Sequence, residues 1–256
     1  MTQNVVGAMN QASAGEALRL ELSTIESLVN YHTWIYREIQ PFLGDQLTEI
    51  GGGLGTFSDL LIRHHILGRP NRTIEILEPD EDLFAQLRSK CQAQHNGLIK
   101  TNRLRLANSV FASRMHTFDT AIMINVLEHI EDDRDLISNI YSSIQPGGTV
   151  AVFSPALPFL YSPLDRRVGH FRRYRKNDLA ALIEGAGFSL EKVQYMDTLG
   201  VIPWYIINVL AGSCSFNPLL AKTYDRAGIP ITRWVEHYFG APIGKNVLAV
   251  GRKTLH

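Results

Sequence analysis

The chain has 256 residues, enough for one domain of ordinary size with a substantial core. Its 25 basic and 25 acidic residues balance, so no global field favours nucleic acid or a membrane surface. Cys91 and Cys214 stand far apart without metal-type pairing, Met1–Gly15 lacks the apolar core of a signal peptide, and no run reaches the roughly 18 apolar residues that span a bilayer. A cytoplasmic, reduced protein is expected.

In chain order, residues 1–14 read as loosely held until something docks them. From Glu16 a helical pattern follows (Leu18, Leu22, Ile25, Leu28, Val29), then a second through Trp34, Ile35, Ile39 and Phe42, ended by Pro41 and Gly44. Both precede the first strand, so they must pack outside the sheet, and a lid is their natural use. The strand Leu47–Ile50 then runs into Gly51-Gly52-Gly53-Leu54-Gly55-Thr56 and a helical pattern from Phe57. Glycine there accepts positive φ and lets backbone approach a ligand, as in the strand–turn–helix cradles of open α/β sheets. Thr56 replaces the last glycine of the dinucleotide fingerprint, and no Gly-Lys-Ser/Thr follows, so a phosphate-binding P-loop is excluded.

Further strands are expected at 73–77, 102–106, 120–124, 149–153, 189–195 and 246–251, with helices at 80–94 and 131–144. Ala121-Ile122-Met123-Ile124 is apolar throughout, as a parallel strand covered on both faces should be. The alternation predicts an α/β fold: a Rossmann-like, doubly wound, mostly parallel sheet of seven strands. The expected organisation is a single domain of 1–256, with a helical lid (1–42), a cofactor-binding core (43–198), an aromatic-rich helical insertion (199–245) and the last strand (246–256). The insertion caps the active site or makes a homodimer.

Glu78 ends the second strand, where such sheets hold both ribose hydroxyls on one carboxylate. Asn125 ends an apolar strand at the ligand-binding edge, and its amide or carbonyl suits an ammonium group. His129 is a base by residue type or a brace for its turn. Arg166, Arg167, Arg172, Arg173 and Arg175 crowd a short tract after the fifth strand, able to hold an anionic acceptor or to brace acidic groups of their own domain. In that tract His170 and Tyr174 are candidates to deprotonate or orient a nucleophile. It is too short and mixed to imply nucleic acid.

Together Glu49-Ile50-Gly51-Gly52-Gly53-Leu54-Gly55, Asn125-Val126-Leu127-Glu128-His129-Ile130 and Pro146-Gly147-Gly148 resemble the motifs of class I S-adenosylmethionine (SAM) dependent methyltransferases over about residues 28–195. The resemblance implies SAM as cofactor, with Glu49 ordering the loop near the methionine portion, Gly51, Gly53 and Gly55 forming the cradle, and Glu78 on the ribose. It implies Asn108 and Ser109 near the adenine, although the family usually carries an aspartate there. Leu54 and Ile76 or Leu77 would pack on the adenine or ribose faces. Asn30-Tyr31-His32-Thr33-Trp34-Ile35-Tyr36 is similar to a segment whose tyrosine bonds the cofactor carboxylate, Tyr31 first and Tyr36 second. Gly169-His170-Phe171-Arg172-Arg173-Tyr174 resembles a branch associated with small-molecule, secondary-metabolite and polysaccharide biosynthesis. Tyr174, His170 and Tyr31 are therefore the expected catalytic set, with no metal. The activity implied is direct methyl transfer to a small-molecule acceptor. Some proteins resembling the family instead close SAM on itself, giving azetidine-2-carboxylate and methylthioadenosine, with an aromatic lid such as Tyr31, Trp34, Tyr36, Tyr161 and Tyr174. A non-catalytic SAM-binding module is the third reading.

Overall fold

The computed structural model describes residues 24–25, 27–109, 111, 117–215 and 217–255. Residues 1–14 lie outside them, as do Leu18 and Leu22 of the first expected helix; its Ile25 and Leu28 are described, and its Val29 opens the next helix.

Seven strands form one sheet: β1 (Gln46–Ile50), β2 (Thr73–Leu77), β3 (Leu104–Ala107), β4 (Phe118–Ile124), β5 (Ile144–Pro155), β6 (Ser189–Met196) and β7 (Asn246–Arg252). Their spatial order is β3-β2-β1-β4-β5-β7-β6, parallel except for β7, which runs antiparallel to both β5 and β6. The connections leave β1 toward β2 and later return to its other side with β4. A crevice therefore opens at the carboxyl ends of β1 and β4, the switch point where open α/β sheets bind ligands.

The predicted strands match these closely, with one informative exception. Pro146-Gly147-Gly148 does not precede β5 but lies within it, where the β4–β5 register shifts between Phe118 and Thr120. Gly147 has φ +80°, and a Cβ on Gly148 would meet the Asp119 carbonyl at 2.6 Å, so the sequence puts glycine where the pairing is irregular.

Apolar layers cover both faces. On one, α1 (Val29–Ile39) buries Trp34, Ile35 and Ile39 against Leu47, Ile122, Phe153 and Leu248 beside α2 (Thr56–Leu61) and α3 (Glu81–Lys100). On the other, α4 (Asp133–Ser143) and α6 (Lys176–Gly185) bury Ile137, Ile140, Leu179 and Ile183 against Ala121, Val150 and Val152. The short α5 (Pro163–Arg167) precedes α6. Leu179, Leu182 and Ile183, at one-turn spacing, seat α6 against the sheet. Asp80 and Asp132 accept from the Leu83 and Asp135 amides, capping α3 and α4.

Between β6 and β7 come α7 (Val201–Trp204), α8 (Pro218–Thr223) and α9 (Ile229–Phe239). Wider turns at Tyr205–Leu210 and Tyr224–Gly228 prolong the first two. The Asp225 carboxylate accepts from the Asn30 and Tyr31 amides at 3.1 and 2.9 Å, tying this insertion to the start of α1. No helix among the described residues is long and apolar enough to cross a membrane.

Candidate functional site

Two connected spaces open at the carboxyl edge of the sheet. The larger, a cleft of about 360 Å³, runs from Glu49 and the glycine turn past Glu78 to Ser109 and Asn125. The smaller, a chamber of about 100 Å³, adjoins it through Asn125 and His129 and is walled by Tyr31, Glu128, His170, Trp204 and Lys245.

The cleft follows from the turn after β1. Gly51 and Gly52 donate to the Leu77 carbonyl at 2.8 and 3.0 Å, which bends the chain over the end of β2. Gly51 has φ +75°, and a Cβ there would meet Val126 at 2.5 Å, so neither the conformation nor the space admits another residue. Gly53 points its amide at Glu78 Oε2, 2.7 Å away, while Glu78 Oε1 accepts from the Asp80 amide at 3.0 Å. Each carboxylate oxygen keeps a second lone pair for a ligand hydroxyl. Glu49 is buried, and its Oε2 has no hydrogen-bond partner. Burial pushes its carboxyl up to about 8, with Ser58 opposing and Glu78 adding to the rise. An orphaned acidic oxygen, a glycine turn pressed on Val126 and a second buried acidic side chain make a lining suited to a nucleoside carrying an amino-acid tail.

Asn125 sits between cleft and chamber at φ +54°, a strained conformation for a residue with a side chain. Its amide donates to the Phe153 carbonyl at 2.8 Å, which pins the end of β4 to β5.

Behind the chamber wall, the buried Asp165 takes the Ser162 amide and hydroxyl at 2.8 and 2.7 Å, His170 Nδ1 at 2.8 Å and Arg173 Nε at 2.9 Å. Burial would raise Asp165, but His170, Arg173 and Ser162 together hold it below its ordinary value. The ionised carboxylate fixes His170 with Nδ1–H facing it, which leaves Nε2 as the basic atom, 4.0 Å from Glu128 Oε1. Glu128 is fully buried. Its Oε2 accepts from Ser154 at 3.1 Å, Oε1 has no hydrogen bond, and burial raises its carboxyl against the pull of His170. The His129 ring stands 4.6 Å from that of His170, and burial, then His170, drive it down to about 3. It is therefore neutral and too weak a base to accept a proton near neutral pH. Glu128, His129 and His170 also place one donor atom each within 4.8 Å of one another, a set able to hold a divalent metal. Lys245 Nζ pairs with the buried Asp197 at 2.9 Å and lies 5.7, 5.7 and 5.9 Å from the Tyr31, Trp204 and Tyr224 rings.

The expected residues distribute unevenly over this site. Tyr31, Glu49, Gly51, Gly53, Glu78, Ser109, Asn125 and His170 line the two spaces. Gly55 does not: at φ +76° it caps α2 and packs beside Leu87. Asn108 is exposed and donates to the Glu78 and Pro79 carbonyls at 3.0 and 3.2 Å, so it holds the turn after β2. Tyr174 is the clearest correction. Its hydroxyl turns away, donating to Asp133 at 2.8 Å, and burial with that carboxylate raises it well above the ordinary tyrosine range, so it cannot act as a base. Tyr31 reaches the chamber, but burial, then Asp197 and Glu128, raise it too, which leaves it a hydrogen-bond donor.

The expected aromatic lid is also rearranged. Trp34 donates to Glu38, Tyr36 packs on His64, and Tyr161 donates to the His170 carbonyl at 2.7 Å; Trp204 and Tyr224 of the insertion take the places beside Tyr31. Of the arginine tract, Arg173 and Arg172 brace Asp165 and Asp133, the second of the two readings open from sequence. Asp165, five positions before His170, was the one missed residue that short-range spacing could have suggested. Glu128, Trp204, Tyr224 and Lys245 are brought in only by the fold.

The strand order and switch-point crevice define the class as a Rossmann-like methyltransferase fold. Residues 48–150 match the family described as "Methyltransferase domain". The match falls on the strand–turn–helix core that carries the SAM-dependent methyltransferase motifs, and S-adenosylmethionine is the cofactor those motifs imply. It is 27% identical over 166 residues to a ubiquinone biosynthesis O-methyltransferase of Xanthomonas euvesicatoria pv. vesicatoria, a stretch covering 60% of this chain and 66% of that protein, just under two thirds. Among solved structures, phosphoethanolamine N-methyltransferase 2 of Haemonchus contortus with SAM aligns at TM-score 0.60 and 14% identity over 88% of this chain and 53% of that one. The [4+2]-cyclase SpnF aligns at 0.59 and 15% identity, over 88% and 81%. Identities this low show the shared fold alone, and the cyclase shows how differently that fold can be used.

Proposed function

We propose that the protein methylates a hydroxyl oxygen of a small-molecule acceptor, with His170 as the general base. The observation that carries this reading is the Asp165–His170 dyad opening into a chamber beside the cofactor cleft. A neutral amine needs no base to attack a methyl group, whereas a hydroxyl gains from losing its proton as it attacks. When bound, SAM supplies a methyl group made electrophilic by its sulfonium. Glu78 would hold the ribose hydroxyls, Glu49 and Asn125 the methionine end, Ser109 the adenine side, and Tyr31 would donate to the carboxylate. Asp165 holds the Nδ1 side of His170, so that in this reading Nε2 takes the acceptor proton, and Trp204 and Tyr224 exclude water. At about 100 Å³ the chamber admits only the reacting end of an acceptor. In this reading lid, core and insertion act as one domain. The likeness to an O-methyltransferase supports it.

The same small aromatic chamber supports a second reading, cyclisation of SAM without any acceptor. Incubating the pure protein with SAM alone separates the two. Methyl transfer requires that SAM stay intact until a small-molecule extract rich in phenols is added, after which S-adenosylhomocysteine accumulates. Methylthioadenosine released from SAM alone would establish the cyclase instead.

A further inference from the structure

From Thr198 to Ala221 the sequence carries no Asp, Glu, Lys, Arg or His, in a protein whose composition is 20% charged. The structure turns much of that stretch outward. Along α7 and the wider turns that prolong it, Ile202, Ile206 and Leu210 are 63, 53 and 66% exposed and recur every four residues. Further along the same uncharged stretch, Leu219 and Leu220 of α8 are 74 and 55% exposed. The opposite side of the same helix is committed: Val201 and Asn208 are buried, and the Trp204 indole donates to the Leu160 carbonyl at 3.0 Å while walling the chamber. An exposed apolar ridge backed by a fixed inner face is an interaction surface rather than loose packing.

The charges around it are of one sign. Arg166 and Arg167 are exposed on α5, and Arg167 reaches the Cys214 carbonyl beside the ridge at 3.4 Å. Lys222 and Arg226 are exposed just beyond it. The acids at its two borders, Asp197 and Asp225, are buried and engaged, by Lys245 and by the start of α1 respectively. In a chain whose total charge is balanced this basic rim is local.

We propose that this ridge docks on the surface of an anionic lipid bilayer, with the apolar side chains set among the headgroups and the four cations facing lipid phosphates. The tyrosine beside them, Tyr205, is 38% exposed and has the amphipathic character of residues at that depth. A two-fold pairing with a second copy would instead press Arg166, Arg167, Lys222 and Arg226 of both copies around one apolar patch, with no exposed acid of the insertion's ridge to neutralise them. The docking helix lies along the membrane plane; it does not cross it.

Sedimentation of the full chain with vesicles tests this. The protein should pellet with vesicles of phosphatidylglycerol and phosphatidylcholine, less with phosphatidylcholine alone, and less again in high salt. The double variant Ile206→Asp/Leu210→Asp should lose at least tenfold in vesicle affinity while keeping its melting temperature and its stabilisation by SAM. Those two controls separate failure of docking from failure of the fold or of the cofactor site. Arg166→Glu/Arg167→Glu should weaken binding to the anionic vesicles only. Wild-type protein remaining in the supernatant with anionic vesicles overturns the proposal. So does a wild-type dimer in analytical ultracentrifugation that Ile206→Asp/Leu210→Asp converts to monomer, which would make the ridge an interface between copies.

Discussion

His170 can act as a base only because of what stands behind it. Asp165 is held ionised by Arg173 and Ser162, so the imidazole is oriented before any ligand arrives. His170→Gln keeps a polar group of similar reach but cannot take a proton. Its kcat should fall by about 10²–10⁴ with the affinity for SAM within about twofold of wild type; an unchanged kcat would remove the base from the account. Glu78 carries the opposite signature. Glu78→Ala deletes the acceptor for the ligand and for the Gly53 amide, so binding of S-adenosylhomocysteine by calorimetry should weaken by roughly tenfold or more.

Glu49 makes a statement about stability. Its carboxyl ordinarily titrates near 4.5 and sits at about 8 in the fold, burial being the main cause. Between those values the folded protein keeps a proton that the unfolded chain has released. The native state therefore binds more protons, and stability contributed at this site is full below 4.5 and is lost as pH rises toward 8. Glu49→Gln lacks this dependence. In ligand-free urea denaturation the difference between variant and wild type should move in the variant's favour from pH 5 to pH 8 by an amount on the order of a few kcal/mol. Parallel pH profiles would show that Glu49 is solvated.

At the scale of elements, the turn from β1 into α2 was legible because its requirements are local. Positive φ at Gly51 and the close Val126 side chain leave a signature in residue type. Gly51→Ala should destabilise the protein by roughly 1–3 kcal/mol in thermal denaturation and cost SAM binding with it; a neutral effect would mean the turn rearranges freely. The strands were equally legible, since burial on both faces writes continuous apolar runs such as 121–124. The places where reading failed share a different cause. Tyr174 and His170 are four residues apart, and no local rule tells which faces the chamber and which faces Asp133. Asn108 was expected beside the adenine, and its side-chain amide is instead engaged by the Glu78 and Pro79 carbonyls.

Across the whole molecule, the larger cleft is built mainly from successive βα turns, and the chamber from pieces far apart in sequence. Tyr31, Trp204, Tyr224 and Lys245 meet around one point, and the insertion that brings three of them is held to α1 through Asp225. Spacing motifs describe the first kind of site well and the second hardly at all. The joint at Asn125, where the two spaces meet, is therefore where the account is most exposed. A crystal structure with S-adenosylhomocysteine tests it most directly. The ribose hydroxyls should lie within hydrogen-bonding distance of Glu78 and the sulfur at the Asn125–His129 opening, facing the His170 chamber. A ribose away from Glu78, or a sulfur directed away from that chamber, would contradict it.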